Sequence, residues 1–270
     1  MSWNLQVPRV LHIYWGGRKL NYLRFLTVKS FIKYNPEWEI ILWYPEKPFL
    51  GISFGNGHFN KSERLFKDYL PELMKLPIKK VPVDFDSLKF SATAAEVHKA
   101  DYIRVNVMNL YGGVWSDMDI IYFRPLEELK VNIKENYDKE VFVCVGDYGH
   151  STGFVMATEN SRFFNTLTDH VANEYTAGNY QCLGPDMFNK YYKRVSDIPA
   201  SVNLSMDVVY SYNCHYVHRL LTNEKPEFND ESIGCHWYAG NTLWSDFLSK
   251  TKGGATNLPD NIIGNLIRDV

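Results

Sequence analysis

Apolar and amphipathic segments alternate along the start of the chain. The first is VPRVLHIYWGG (7–17), an apolar run ending in two glycines, which predicts a buried parallel strand followed by a tight turn. The next is LNYLRFLTVKSFIKYNP (20–36), whose helical periodicity ends at Asn35-Pro36. A second strand, ended by proline, is predicted from WEIILWYP (38–45). This order of strand, helix and strand predicts a right-handed crossover unit.

The clearest helix is predicted from Ala94 to Tyr111. Thr93 and Glu96 have the T-x-x-E spacing of a capping box, and Gly112 is the expected stop. A core stripe at helical spacing is predicted from four side chains: Ala100, Ile103, Val107 and Leu110. Before this helix, the sequence predicts a glycine-rich loop over 51–60, a helix over about 62–75 and a short strand over about 79–83.

The remaining apolar runs predict that the sheet continues. We expect one strand from VWSDMDIIYF (114–123), buried strands from VFVCV and GFVMA, and helices over 160–176 and 185–195. No internal repeat, low-complexity segment or linker interrupts the pattern. The chain therefore predicts a single α/β domain, 1–270, with a mixed, mostly parallel central sheet flanked by helices.

Composition and charge narrow the class of protein. With 270 residues, of which 45% are hydrophobic, the chain can bury one large core and is too apolar to be disordered. The formal charge of −2 gives no electrostatic reason for the whole chain to bind nucleic acid or a membrane. Residues 1–135 carry 19 Lys and Arg against 15 Asp and Glu, whereas the rest carry 10 against 16. An anionic ligand is therefore expected in the N-terminal part.

Targeting and cysteine patterns indicate a cytoplasmic protein. No apolar run reaches the ~18 residues of a membrane span, and the N-terminus lacks a signal-peptide pattern, so we expect a soluble, unexported chain. The cysteines form no C-x-x-C pair, which predicts free thiols in a reducing compartment: Cys144, Cys182, Cys214 and Cys235.

Two carboxylates, Asp117 and Asp119, interrupt the apolar segment YGGVWSDMDIIYF. On one strand, residues i and i+2 share a face, so these side chains would lie roughly 6–7 Å apart. Two unpaired negative charges at this distance from each other need protonation, water or a cation. A divalent ion with open positions for substrate phosphates is the natural partner. The alternative is a solvated strand end. The preceding glycines and the position at the carboxyl end of a sheet strand favour Mg²⁺ or Mn²⁺.

Asp101 and Arg104 on the preceding helix are spaced i, i+3 and share a face. Such a pair is commonly an ordinary ion pair on a helix surface. Beside a metal–diphosphate site, the same pair could instead hydrogen-bond the hydroxyls of a sugar and a phosphate.

The residues from Ala100 to Leu126 carry a family signature. Their sequence, ADYIRVNVMNLYGGVWSDMDIIYFRPL, resembles the D-x-x-R … G-G-x-Y-x-D-x-D signature of the family 32 glycosyltransferases, which are related to the catalytic domain of the large clostridial glucosylating toxins. The opening run resembles the first strand of that family, and YNPEWEIILWYP resembles the segment that follows it. CHWYAGN (235–241) is similar to a C-terminal element of related sugar transferases. The resemblance implies a GT-A fold and transfer of a sugar from a nucleotide-sugar donor, with retention at the anomeric carbon.

The resemblance also implies roles for individual residues. Asp119 would bind Mn²⁺ or Mg²⁺ directly, Asp117 would contact the metal, the ribose or both, and His236 would supply a third metal ligand. Asp101 and Arg104 would hold the donor sugar, with Arg104 also near the diphosphate.

Other implied contacts concern the nucleoside and the acceptor. The base pocket would be lined by three neighbouring residues: Tyr14, Trp15 and Gly16. Trp115 replaces the usual tyrosine, which keeps an aromatic wall but loses a phenol. Trp237 and Trp244 could close over the donor or pack in the core. Asp186, in LGPDMF, is a third candidate catalytic residue beside Asp101 and Arg104, and Asp147 is a weaker one.

The implied partners are a nucleotide sugar and an acceptor. UDP-glucose or UDP-galactose is the first choice of donor, with GDP-mannose as the alternative, and the acceptor would be a glycan, a protein or a modified nucleobase. Residues 1–125 would form the half that binds the nucleotide sugar and 126–270 the acceptor-side half. A set of basic residues suits either a polyanionic acceptor or a solvated helix face: Lys61, Arg64, Lys67, Lys75, Lys79 and Lys80.

Three other classes of protein fit these motifs less well than a transferase does. A haloacid-dehalogenase-type phosphatase has D-x-D at its first strand and a later acidic pair, whereas Asp117 lies far into the chain and no Asp-Asp occurs. A glycoside hydrolase places its carboxylates on different elements around the scissile bond. A non-catalytic sugar-binding module remains an alternative, although it has little use for a diphosphate-binding metal.

Overall fold

The computed structural model describes residues 5–48, 67–131, 133–147, 149–250 and 258–270. The predicted loop at 51–60, the start of the predicted helix at 62–75, and Lys61 and Arg64 lie outside these residues. The strands are β1 (Val10–Tyr14), β2 (Glu39–Pro45), β3 (Lys79–Val83), β4 (Gly113–Ser116), β5 (Ile120–Tyr122), β6 (Val141–Gly146), β7 (Gly149–Ala157), β8 (Ser201–Leu204) and β9 (Gly234–His236). The α-helices are α1 (Tyr22–Tyr34), α2 (Leu70–Lys75), α3 (Glu96–Tyr111), α4 (Ile133–Asn136), α5 (Arg162–His170), α6 (Pro185–Tyr191), α7 (Leu243–Lys250) and α8 (Ile262–Arg268).

Seven strands form one sheet in the order β3-β2-β1-β4-β7-β6-β8. Strand β1 is parallel to β2 and β4, β2 is parallel to β3, and β6 is parallel to β8. Strand β7 is antiparallel to both β4 and β6. Strands β5 and β9 form a separate antiparallel pair. The predicted mixed, mostly parallel sheet in a single α/β domain is confirmed.

The crossover unit predicted at the start of the chain is confirmed as β1, α1 and β2. Helix α1 begins after Asn21, whose side chain accepts a hydrogen bond from the Arg24 amide, and ends at Tyr34. The strand predicted at 79–83 is β3. Because β1 pairs with both β2 and β4, its carboxyl end lies beside that of β4.

The predicted start of helix α3 is wrong. The helix begins at Glu96, and its N-cap residue, Ala95, makes no side-chain cap. The Glu96 carboxylate instead accepts hydrogen bonds from the Tyr14 hydroxyl at 2.6 Å and the Lys99 ammonium at 3.0 Å, so a long-range pairing replaces the local capping box. The stop at Gly112 is confirmed, with a positive φ of 59°. Leu110 is 55% exposed and does not belong to the core, because it lies on the solvent side of the last turn, in which Met108 is the buried residue.

The single strand predicted over 114–123 is two strands in different sheets. Strand β4 stays beside β7 up to Ser116, and the chain then turns so that β5 can pair with β9. Asp117 and Asp119 lie in that turn, so their proximity comes from the turn and not from a shared strand face. The helices predicted at 160–176 and 185–195 are shorter, 162–170 and 185–191, because a turn begins at residue 171 and the chain leaves the second helix at residue 192.

The sheet separates two buried layers. Alternate residues of β4 and β7 face opposite sides: Val114 and Phe154 pack in one layer, while Trp115 and Val155 pack in the other. All four cysteines are free, as predicted. Among the described residues, no helix combines the length and apolar character needed to cross a membrane.

His12, in the middle of β1, predicts acid sensitivity. Burial lowers the pKa of His12 to about 4, since its ring is enclosed between Trp43, which donates to Nδ1, and the Gly112 carbonyl near Nε2. The neutral ring therefore stabilises the fold above the unfolded pKa of 6.5, and that contribution of about 3 kcal/mol is lost as the pH falls from 6.5 to 4. In thermal melts over this range, we expect Tm to fall less for His12→Gln than for the wild type. An equal fall in both proteins would contradict this assignment.

Candidate functional site

Asp117, Asp119 and His236 form a cluster at the turn between β4 and β5. One side-chain ligand atom from each residue lies within 4.8 Å of the others. His236 is the last residue of β9 and pairs with Ile120 across the short sheet, which brings it beside Asp119. Its Nε2 lies 3.1 Å from Oδ1 of Asp119, and the Ala239 amide donates to Oδ2 at 2.9 Å. Three residues predicted as metal ligands are thus brought together.

The backbone and one indole hold Asp117 in place. Its amide donates to the Gly153 carbonyl at 2.7 Å, and Trp115 Nε1 donates to its Oδ1 at 2.8 Å. A Cβ atom at Gly153 would lie 2.9 Å from Oδ2 of Asp117, so the glycine permits this close approach. Trp115, predicted as a wall of the donor site, is buried beneath the carboxylate and supports it by hydrogen bonding.

The two aspartates have opposite pKa shifts. Burial and the charge of Asp119 raise the pKa of Asp117. Burial also opposes ionisation of Asp119, but the neighbouring His236, Arg24 and the Ala239 amide outweigh it and hold its pKa at about 2. Two ionised carboxylates this close need a compensating charge.

The chemistry of the cluster fits a divalent cation. It offers two carboxylates and one imidazole, and the open side of the cleft leaves room for further ligands. A nitrogen ligand is better accepted by Mn²⁺ than by the harder Mg²⁺. The identity of the ion stays a prediction.

Asp101 and Arg104 form a buried ion pair, not a pair on the helix surface. Arg104 Nη2 lies 2.8 Å from Asp101 Oδ1, and the two residues are only 1% and 7% exposed. The guanidinium lies over the rings of Trp115 and Phe188, at 5.8 and 5.4 Å from their centroids. Burial raises the pKa of Asp101 to about 6, an effect that Arg104 partly offsets.

One cleft is lined both by this ion pair and by members of the cluster of Asp117, Asp119 and His236, which is called the metal-type cluster from here on. Its volume is about 240 Å³. Asp101, Arg104, Asp117 and His236 all line it, as do His150, Ser151, Thr152, Gly153 and three tyrosines: Tyr180, Tyr210 and Tyr238. A pair able to bind a polar ring and a cluster able to bind a cation therefore share one cavity.

The residues predicted for the base pocket lie at and just after the carboxyl end of β1. The Tyr14 hydroxyl donates to Glu96, and the side chain is buried in the core, with only 5% of it exposed. Trp15 is half-buried. A Cβ at Gly16 would lie 1.7 Å from the Glu96 carboxylate, so a larger residue there would have to displace that carboxylate. Their binding of a nucleoside stays a prediction.

Three other predicted contacts do not line the cleft. Asp186 is exposed and accepts a hydrogen bond from Asn179. Asp147 is exposed in the turn after β6. Trp244 is fully buried and packs edge-on against Trp237, with ring centroids 5.2 Å apart, as the core alternative anticipated. Their contacts with substrate stay predictions that this arrangement does not favour.

Arg24 is a residue of the site that the sequence did not reveal. Its guanidinium lies 4.9 Å from the ring centroid of Trp15 and 5.8 Å from that of Trp237. It also donates to the Met118 carbonyl at 3.5 Å, within the turn that carries the two aspartates. The sequence around Arg24 does not indicate this role, because it shows only an arginine inside an amphipathic helix. Its partners come from three distant segments.

A comparison with protein families agrees with this site. Residues 24–139 match the family described as "Glycosyltransferase sugar-binding region containing DXD motif". That segment contains Asp101, Arg104, Asp117 and Asp119. The predicted family resemblance and the enzyme class, a glycosyltransferase, are confirmed. No curated protein gives a significant match.

Solved structures similar to this chain are glycosyltransferases. The PaToxG glycosyltransferase is 19% identical, with a TM-score of 0.48, over 68% of this chain and 67% of that one. The galactosyltransferase LgtC in complex with donor and acceptor sugar analogues is 12% identical, with a TM-score of 0.49, over 97% and 100%. The apo-form glycosyltransferase GlyE of Streptococcus pneumoniae TIGR4 is 12% identical, with a TM-score of 0.50, over 96% and 62%. At this identity, the likeness to GlyE supports the GT-A type of fold alone.

Proposed function

We propose that this glycosyltransferase moves a hexose from a nucleotide sugar to an acceptor hydroxyl, with the help of Mn²⁺ or Mg²⁺ and with retention at the anomeric carbon. The observation that carries the proposal is that one cleft is lined both by Asp117 and His236, which form a cluster with Asp119, and by the buried pair of Asp101 and Arg104. UDP-glucose or UDP-galactose is the first choice of donor, with GDP-mannose as the alternative.

The residues of the cleft suit the departure of a diphosphate. When bound, a divalent cation supplies Lewis-acid stabilisation of the charge on the leaving phosphate. Asp117, Asp119 and His236 would hold that cation. Arg104 brings a fixed positive charge to the same cavity, and Arg24 brings a second beside the two aspartates. Asp101, held by Arg104, would accept hydrogen bonds from hydroxyls of the transferred sugar.

Retention is supported by the carboxylates that line the cleft. In the described part of the chain these are Asp101, which is paired with Arg104, and Asp117, which belongs to the metal-type cluster. Neither is free to act as an enzyme nucleophile or as a general base for attack on the opposite face. We therefore propose that the acceptor hydroxyl attacks on the face from which the phosphate departs. The bond from the anomeric carbon to the phosphate oxygen breaks, a bond to the acceptor oxygen forms, and the acceptor proton passes to the departing phosphate.

The acceptor would reach the open side of this cleft. Tyr180 and Tyr238 line the cleft, and their aromatic faces suit the apolar side of a sugar ring. The lining suits a glycan and, because every base also has a π-face, a modified nucleobase as well. The proposed acceptor is therefore a glycan, a protein or a modified nucleobase.

A thermal-shift panel tests the proposed donor and metal. Because a ligand that binds only the folded state raises Tm, we expect Mn²⁺ with one of UDP-glucose, UDP-galactose or GDP-mannose to raise Tm by several degrees, and the nucleotide sugar without metal to raise it far less. Slow, metal-dependent hydrolysis of the same donor should accompany the shift. A shift without hydrolysis would favour a binding module. No shift with any donor would overturn the proposal.

A further inference from the structure

Tyr210 is a buried phenol whose hydroxyl lacks a protein partner. The residue is 5% exposed and lines the cleft. Within the described residues, its hydroxyl makes no hydrogen bond. Buried hydroxyls in folded proteins are nearly always paired, because leaving one unpaired sacrifices its hydration without replacement. Such an atom at the wall of a substrate cleft points to a contact that the substrate completes.

The hydroxyl lies beside the carboxylate of Asp117. A Cβ atom at Gly153 would be 3.1 Å from the Tyr210 hydroxyl and 2.9 Å from Oδ2 of Asp117, so both groups border the same bare stretch of backbone. The ring of Tyr210 packs against His236, with centroids 5.1 Å apart, and against Tyr238. This packing fixes the hydroxyl at the edge of the proposed metal and sugar site.

The chemistry of these two groups selects the ligand. A neutral phenol can donate a hydrogen bond, whereas an ionised carboxylate only accepts. A sugar hydroxyl can accept from the first and donate to the second at once. A phosphate oxygen has no proton to donate to the carboxylate, so it could satisfy only the phenol.

We propose that Tyr210 is a further substrate-contacting residue: its hydroxyl donates to a ring hydroxyl of the transferred hexose, and that hydroxyl donates in turn to Asp117. This inference rests on the proposed function. Asp117 has lone pairs to spare for it, since a carboxylate offers about four acceptor positions, of which Trp115 uses one and a bound cation would use another. The pair would add one more anchor for the sugar opposite Asp101 and Arg104.

Tyr210→Phe removes only the hydroxyl and tests the proposal. Calorimetry in Mn²⁺ should compare UDP-glucose and UDP-galactose with UDP, and GDP-mannose with GDP. For the nucleotide sugar that the wild type binds most tightly, we expect the variant to bind about tenfold more weakly, with an unchanged Kd for the bare nucleoside diphosphate. Its Tm without ligand should equal or exceed that of the wild type, because the unpaired buried hydroxyl is gone.

Tyr212→Phe is the matched control. Tyr212 is also a buried tyrosine, two residues further on, but its hydroxyl accepts a hydrogen bond from the Glu227 amide at 2.9 Å and it does not line the cleft. We expect this variant to have a lower Tm and unchanged Kd values. Tyr210→Phe should therefore weaken sugar binding without lowering Tm, whereas Tyr212→Phe should lower Tm without weakening sugar binding.

Four outcomes would overturn the inference. An unchanged Kd for the sugar nucleotide in Tyr210→Phe would show that the hydroxyl does not contact the sugar. An equal loss for the bare diphosphate would place the hydroxyl at the phosphates. A fall in Tm as large as that of Tyr212→Phe would make its role structural. If the wild type binds none of the three nucleotide sugars, the proposed function fails and the inference fails with it.

Discussion

Asp119→Asn is expected to lower metal-dependent donor hydrolysis by about a thousand-fold while leaving the fold intact. The asparagine oxygen can still accept the hydrogen bond from the Ala239 amide. What the variant loses is the negative charge that the cluster directs at the cation. The measurement is hydrolysis of the donor chosen by the thermal-shift panel, in Mn²⁺ and in EDTA. Asp117→Asn should have a comparable effect on activity.

Stability without metal should separate the two aspartates. The pKa of Asp119 is lowered in the fold, so its ionised form stabilises the protein at neutral pH, and Asp119→Asn should lower Tm. The pKa of Asp117 is raised, so its ionised form costs stability, and Asp117→Asn should raise Tm. Asp86→Asn, which changes an exposed aspartate paired with Lys47, is the control and should leave activity unchanged. Full activity of Asp117→Asn or Asp119→Asn in EDTA would contradict the assignment of this cluster as a metal site.

Arg104→Met is expected to be both inactive and destabilised by about 3–5 kcal/mol. Methionine fills most of the space between Trp115 and Phe188, so the loss is mainly electrostatic. Removing the guanidinium leaves the carboxylate of Asp101 buried without its cation, and its pKa should rise further. Urea unfolding at neutral pH measures the stability, and donor hydrolysis measures the activity.

A double variant distinguishes the structural part of this effect from the functional part. In Asp101→Asn/Arg104→Met no lone buried charge remains, so most of the lost stability should return. Activity should not return, because the groups proposed to hold the sugar are absent. A single variant as stable as the wild type would show that the pair is not desolvated. An active double variant would remove both residues from the mechanism.

Local patterns predicted the elements that a short stretch of sequence specifies through its own periodicity and turn residues. The crossover of β1, α1 and β2 followed from apolar periodicity and from Asn35-Pro36. Expectations failed where a distant segment competed with a local one. Glu96 could have capped its own helix, but it bonds to Tyr14 and Lys99 instead. The pattern of residues 114–123 predicts one strand, but β5 pairs with β9 in a separate sheet and so leaves the main sheet.

The sequence by itself determined the two carboxylates of the turn, the spacing of Asp101 and Arg104, and hence the class of chemistry, because those features lie within twenty residues of one another. Only the tertiary structure decided that the ion pair is buried in the cleft, and that Arg24 and Tyr210 join the site. It also decided that His236 lies against Asp119, since a residue more than a hundred positions away reaches the turn through the pairing of β5 with β9. Backbone pairing between distant segments leaves no local spacing to find, so a site assembled by it becomes visible only in the folded chain.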